Sequence, residues 1–329
     1  MSLDNKNILV TGGTGSFGNK FIQLTLKLFN PNRITVFSRD EMKQWEMAQV
    51  FKNENKLKFI IGDIRDRERL ERALDNIDYV VHAAATKIVP TAEYNPMECI
   101  KTNVMGAMNL VDVAINKKIK KVVALSTDKA SNPINLYGAS KLASDKLFVA
   151  ANSFNDDHNT KFSVVRYGNV MGSRGSVIPF FKSLINKPEL PITDINMTRF
   201  MITLEEAVKL VWQAFSDMSG SEIYVKKIPS MKIVDIAKAI SEDAKIKIIG
   251  IRPGEKIHEQ MIGPEDARST YEYKDYFKIL PETHNTKTLI NLIKKGKKVP
   301  KDFSYSSETN KDWMSITTLR KWIDVNLKD

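Results

Sequence analysis

One cysteine, Cys99, stands among 329 residues. That excludes an internal disulfide framework and a Cys-based zinc site. The four histidines are scattered without HExxH-type ligand spacing, so no metal centre is expected. No uninterrupted apolar stretch is long enough to cross a bilayer. The first apolar run, Ile8-Leu9-Val10, leads straight into glycines and nothing resembles a signal peptide, so the expected compartment is the cytoplasm. Internal repeats and low-complexity tracts are missing too.

What is present is enough apolar material for a substantial core: 42% of the chain is hydrophobic, which suits one large α/β domain or two smaller ones. A formal charge of +11 raises the question of nucleic acid. Yet the basic residues are spread along the chain, and the densest run, Lys294-Lys295-Gly296-Lys297-Lys298, lacks interleaved aromatics. The expectation is a solvated lysine-rich surface with no nucleic-acid partner, whose field attracts an anionic substrate.

Short runs rich in Val and Ile alternate with helix-like segments, which predicts strands over 7–11, 33–38, 58–62, 78–82, 121–126 and 161–167. Continuous apolar strands spaced by helices indicate a parallel sheet covered on both faces. The expected fold is α/β, a Rossmann-like doubly wound parallel sheet with a smaller discontinuous α/β substrate domain. After Gly172 the pattern loosens, although 221–225 and 232–240 read as one more strand and helix returning to the sheet. Residues 1–172 and 204–247 are assigned to the dinucleotide domain, and 173–203 with 248–329 to the substrate domain.

The stretch ILVTGGTGSFG places Gly12, Gly15 and Gly18 after the first strand, with Ser16 and Phe17 opening a helix. Glycine there permits a tight turn and close backbone approach to a pyrophosphate at a positive helix end. The second strand ends in VFSRDE. An acidic residue at this place grips a ribose 2′-hydroxyl, whereas an arginine accepts a 2′-phosphate. Arg39 favours NADP, Asp40 leaves NAD open, and Lys43 reads equally as a second phosphate contact or an exposed helix lysine. Asp63-Ile64 and Ala83-Ala84-Ala85 follow the third and fourth strands, where small side chains suit adenine and ribose. His82, just before the alanines, reads as a core histidine.

Tyr137 and Lys141 lie one turn apart on a helix, ten residues after Thr127. A nearby ammonium and an oxidised nicotinamide favour the phenolate, so Tyr137 can take a hydroxyl proton as hydride leaves the same carbon. Thr127 is followed by an acid and a base, Asp128 and Lys129, for which a plain alcohol dehydrogenase has no use.

Read together, GGTGSFG, SRDE, HAAATK, STDKA, YGASK, RYGNVMGSRGSV, MTRF and IRPGEK resemble the extended short-chain dehydrogenase/reductase family of nucleotide-sugar enzymes over nearly the whole chain. Within that family the resemblance is to the soluble dehydratase branch that acts on UDP-N-acetylglucosamine with inversion at C5, at the start of pseudaminic acid synthesis. Tyr137 keeps the chain apart from related capsule enzymes with methionine at that position. The resemblance implies UDP-N-acetylglucosamine as substrate and a homo-oligomer, a hexamer, while NADP as cofactor rests on Arg39. It also implies roles: after oxidation at C4, Lys129 takes the C5 proton and Asp128 protonates the departing C6 oxygen, hydride returns to C6, and C5 is reprotonated from the other face. Lys129 must then be neutral, and the chain must bend just after Thr127, because neighbours on a strand point to opposite faces. Substrate contacts carried over in the same way are Lys87, Asn169, Arg174, Val177, Thr193, Arg199, Arg252 and Glu255, arginine being suited to diphosphate.

Competing readings keep the fold with a retaining dehydratase or C4 epimerase outcome, or change the class to a non-catalytic cofactor-bound regulatory or nucleic-acid-binding protein.

Overall fold

The structure, a computed structural model, describes residues 3–154, 160–243, 245–281, 290 and 292–327. Runs such as Ile8-Leu9-Val10, Val80-Val81, Val122-Val123 and Val164-Val165 are wholly buried. They form consecutive strands of one sheet: β1 (Asn7–Thr11), β2 (Arg33–Ser38), β3 (Leu57–Ile61), β4 (Tyr79–His82), β5 (Lys121–Leu125) and β6 (Lys161–Arg166). Shorter strands follow: β7 (Asn169–Val170), β8 (Glu189–Ile192), β9 (Thr198–Ile202), β10 (Ile223–Lys226), β11 (Ser230–Lys232), β12 (Lys245–Ile248), β13 (Gln260–Ile262), β14 (Thr270–Glu272), β15 (Tyr276–Ile279), β16 (Lys297–Lys298) and β17 (Tyr305–Ser306).

The large sheet runs β16-β14-β15-β10-β6-β5-β4-β1-β2-β3. From β3 to β10 every pair is parallel, and β15, β14 and β16 add an antiparallel edge. Chain order reverses between β1 and β4, and the crevice at the carboxyl ends of those strands is where such sheets bind ligands. Helices cover both faces. The helix Leu204–Asp217, for instance, starts with a Thr203–Glu206 capping box and buries Ala207, Val208, Val211, Ala214 and Phe215. A burial of that kind contributes roughly 1.5–3 kcal/mol per large apolar side chain.

A second apolar cluster gathers Met171, Ile178, Leu190, Ile192, Met231, Ile236 and Leu319. Around it lie the small sheet β11-β9-β7 and the pair β12-β8. Two expectations need correction. The helix Ile233–Ile240, expected to return to the large sheet, instead buries Ile233, Ile236, Ala237 and Ala239 in this second cluster. Conversely, β14, β15 and β16, from the stretch assigned to the substrate domain, extend the large sheet, and Met261, Phe277 and Tyr305 join its core. Periodicity reveals that a helix has an apolar face but not which core receives it. No helix among the described residues is long and apolar enough to cross a membrane.

Candidate active site

A cavity of about 1150 Å³ opens along the carboxyl edge of the sheet, from Gly12 and Arg39 through Thr127 and Tyr137 to Arg199 and Arg252. At one end, Gly12 has φ +65°, and a Cβ there would meet the Ala83–Ala84 backbone at 2.8–2.9 Å. Only glycine allows β1 and β4 to close on each other in that conformation. Gly15 precedes the helix Ser16–Leu28, whose free amides face the cavity end. Arg39, half exposed, lies 3.6 Å from Asp63. Asp63 also accepts from the Arg65 backbone at 2.9 Å and side chain at 2.7 Å. Burial works against its charge, but Arg65 holds the Asp63 carboxyl below its ordinary range. Asp40 caps the helix Glu41–Val50 and is ion-paired with Lys43, so the second cation expected beside Arg39 is paired within its own helix turn.

His82 is buried, with Nδ1 2.8 Å from the Thr11 hydroxyl. Burial, aided by Lys141, pushes its pKa down to about 3 and keeps it neutral. The cavity's middle is built on the end of β5. Thr127 is still extended (φ −147°, ψ 154°), and Asp128–Ala130 then make one 3-10 turn, so the chain does bend just after Thr127. The Thr127 hydroxyl donates to Asp128 Oδ1 at 2.9 Å and accepts from the Lys129 amide at 3.3 Å.

Lys129 Nζ stands 3.1 Å from Asp128 Oδ1, 3.1 Å from Glu259 Oε1 and 3.5 Å from Asn169 Oδ1. Burial disfavours its charge, but the two carboxylates outweigh that and raise its pKa. The lowered value a base requires is therefore not the resting condition of this site. Asp128 is fully buried and, unlike Lys129, forms no part of the cavity wall. Burial first, then Glu259, raises its pKa against Lys129. The expectation of Asp128 facing the substrate is thus corrected: the 3-10 turn swings it behind Thr127 and Lys129.

Tyr137 and Lys141 sit on the helix Leu136–Ala150, capped by Asn135, whose Oδ1 accepts from the Gly138 amide at 2.7 Å. Burial pushes the Tyr137 phenol up to about 12, with Lys129 and Thr127 pulling the other way. Lys141 is lowered by burial, Asp145 opposing. Burial keeps Tyr137 a phenol near neutrality despite Lys129, so the expected phenolate depends on further positive charge. Beneath, Asp145 accepts from the Ser126 hydroxyl at 2.6 Å and pairs with Arg166 at 3.3 Å.

The far end holds Thr193, Arg252 and Glu255. Thr193 donates to Glu255 at 3.4 Å, and Arg252 pairs with Glu255 while staying more than half exposed. Burial works against the Glu255 carboxylate, yet Arg252 keeps it below its usual range. Val177 opens the helix Val177–Ser183 on the cavity wall.

A family model described as "Polysaccharide biosynthesis protein" matches residues 8–281. The chain belongs to the polysaccharide biosynthesis protein family. This family member is 55% identical to the UDP-N-acetylglucosamine 4,6-dehydratase (inverting) of Campylobacter jejuni subsp. jejuni serotype O:2, over 98% of each chain. It is 42% identical to the UDP-glucose 4-epimerase of Rickettsia massiliae, over 93% of this chain and 92% of the relative. The solved structure of Pen from Bacillus thuringiensis is 36% identical and superposes with a TM-score of 0.90, covering 98% of each chain.

Every candidate catalytic, cofactor or substrate residue named from the sequence except Asp128 lines this cavity. Of the expected substrate contacts, Arg199 is engaged elsewhere and Arg174 has its backbone near the glycine turn. Arg199 is buried, and its guanidinium donates to the carbonyls of Thr198, Ile257 and Lys256 at 2.7–3.0 Å, so little of its fork remains for a diphosphate. Arg174 lies at the glycine-turn end, its amide 3.4 Å from the Ser16 hydroxyl, with Lys87 Nζ 3.2 Å from its carbonyl. Sequence reasoning missed Glu259 altogether. It follows IRPGEKIH just before β13 and carries no periodic or motif signal, and only the fold brings it to Lys129.

Proposed function

We propose that the protein is an NADP-dependent UDP-N-acetylglucosamine 4,6-dehydratase that inverts C5, giving UDP-2-acetamido-2,6-dideoxy-β-L-arabino-hex-4-ulose, the first step of pseudaminic acid synthesis. One observation carries the reading: a lysine, Lys129, stands in the cavity wall beside Thr127 and Tyr137 with a buried carboxyl group behind it. Moving a hydride alone needs neither. Similarity over almost the full length to a named inverting dehydratase supports the same choice.

The cradle fits a nicotinamide dinucleotide, since the start of the helix Ser16–Leu28 lines the cavity with its free amides and Arg39, half exposed on the same wall, can meet a 2′-phosphate. When bound, the dinucleotide supplies a hydride acceptor at C4, the same hydride for C6, and positive charge near Tyr137. Tyr137 takes the C4 hydroxyl proton, with Lys141 one helical turn away. The C4 ketone makes the C5 proton acidic, and Lys129 removes it. Asp128, whose pKa burial raises, is assigned to supply the proton for the departing C6 oxygen by way of the Thr127 hydroxyl, which in the open site donates to Asp128 and must turn to accept from it. Lys87, Asn169, Val177, Thr193 and Arg252 are assigned to the sugar nucleotide, with Arg174 nearer the cofactor. The assembly belongs to the same reading as a cytoplasmic homo-oligomer, a hexamer.

The test is incubation with UDP-N-acetylglucosamine and one equivalent of cofactor, followed by NMR. Many turnovers of a 6-deoxy-4-keto sugar with inverted C5 are expected. A C4 epimer, which the Rickettsia relative's name makes the competing outcome, or unchanged C5 stereochemistry would overturn the assignment. Product that stops at one equivalent would make the enzyme a net dehydrogenase.

A further inference from the structure

Lys129 cannot act as a base while its ammonium keeps its proton, and two carboxylates flank it at equal distance, Asp128 Oδ1 and Glu259 Oε1 at 3.1 Å each. In the proposed dehydratase, on which this inference rests, Asp128 is the protonated acid. That leaves Glu259. Its side chain is 2% exposed, and its second oxygen, Oε2, is buried with no hydrogen-bond partner. The residue is held in place by its backbone: its amide donates to the Ser307 hydroxyl at 2.9 Å, and its carbonyl accepts from the Ser307 amide at 2.7 Å. It also belongs to the cavity wall.

We propose that Glu259 is the positioning residue that accepts the Lys129 proton and so converts Lys129 into the base that attacks C5. In the open site the pair is ionised: burial works against the Glu259 carboxylate, while Lys129 and then Arg199 hold its pKa down. A sugar lying over the pair removes solvent, and a separated pair of charges is then disfavoured against a neutral amine and a neutral carboxylic acid. The protons balance around four residues. The Lys129 proton moves to Glu259; Lys129 takes the C5 proton; Asp128 loses its proton with the departing water. Lys129 then passes its new proton to Asp128 and recovers its first from Glu259, and the proton that restores C5 is made up, through solvent, by the C4 hydroxyl proton that Tyr137 took. The charged and titratable groups around the pair are Asp128, Tyr137, Arg199 at 3.7 Å from Glu259, and Lys256, while His258 is turned toward Glu308 at 3.5 Å.

Glu259→Gln keeps the shape and an oxygen acceptor but cannot take a proton. With UDP-N-acetylglucosamine, C4 oxidation, read as nicotinamide absorbance in a single turnover, should stay within about threefold of wild type. Product formation should fall on the order of 10²-fold near neutral pH. It should then climb about tenfold per pH unit in alkaline buffer, where Lys129 loses its proton to solvent, while wild type stays flat. Glu259→Asp, which keeps a carboxylate, should be slower than wild type but equally flat. A wild-type rate and flat profile in Glu259→Gln, an equal loss of oxidation and elimination, or an alkaline climb in Glu259→Asp each overturn the role of Glu259. Wild-type protein that forms no 4-keto product overturns the dehydratase reading, and this inference with it.

Discussion

Gly138 and the Lys129 carbonyl approach so closely that a Cβ on Gly138 would lie 2.2 Å from that oxygen. The helix bearing Tyr137 and Lys141 is thereby seated directly on the 3-10 turn bearing Asp128 and Lys129. Gly138→Ala should improve intrinsic helix propensity by up to about 1 kcal/mol, yet forcing the turn away should cost roughly 1–3 kcal/mol. Urea unfolding should show a net loss of stability, and product formation should fall because the base moves. An alanine variant as stable and as active as wild type would refute the contact's importance.

Arg166 is buried on β6 with Asp145, and its guanidinium also donates to the Met261 carbonyl at 2.8 Å. Arg166→Met strands the Asp145 carboxylate in the core beneath Ser126. The expected destabilisation is about 3–5 kcal/mol, read from the urea midpoint, and adding Asp145→Leu should recover part of it. Equal midpoints for wild type and the single variant would contradict this.

Cofactor choice turns on Arg39. NADP should bind more tightly than NAD, and Arg39→Ala should narrow the gap about tenfold, or about 1.4 kcal/mol. Calorimetric titration of both cofactors measures it. Indistinguishable affinities in the unmutated protein would remove the assignment.

Lys129→Met keeps most of the apolar stem and removes the amine, so folding and cofactor binding should largely survive, at some cost in stability because Asp128 and Glu259 lose the cation between them. The variant should still reduce bound cofactor once per site but form essentially no product. In heavy water the wild type should place deuterium at C5 of the product, with C6 receiving hydrogen from C4. Normal C5 labelling and product yield in the variant would mean that another group is the base.

His82 makes stability fall in mild acid. Its folded pKa, about 3, lies below the ordinary histidine value of 6.5, so the unfolded chain binds a proton that the folded protein refuses. Its contribution is complete at high pH and is lost as pH drops below the unfolded value, continuing down to the folded one. Between about pH 7.5 and about pH 5.5, wild type should lose roughly 1.4 kcal/mol more than His82→Gln. Parallel pH profiles for the two proteins in urea unfolding would rule out a buried neutral imidazole.

The sheet was legible because its cause is local. β1 and β2 fall at the expected residues, and β3 to β6 within a residue or so; a strand buried on both faces, as β1 and β4 are, must be apolar along its length, while the edge strand β3 is only partly buried. The glycine turn and the Thr127, Tyr137 and Lys141 spacing were legible for a similar reason: each is a short-range demand for a turn or for one helical face. What the sequence could not supply were the contacts made across long separations. The destination of the helix Ile233–Ile240, the retreat of Asp128 from the cavity and the diversion of Arg199 onto backbone carbonyls all depend on which surfaces meet. Glu259 is the clearest case. The chain places it 130 residues from Lys129, and only the seating of β13 beside the turn after β5 makes the two an ion pair, because charge interactions follow distance in space rather than along the sequence.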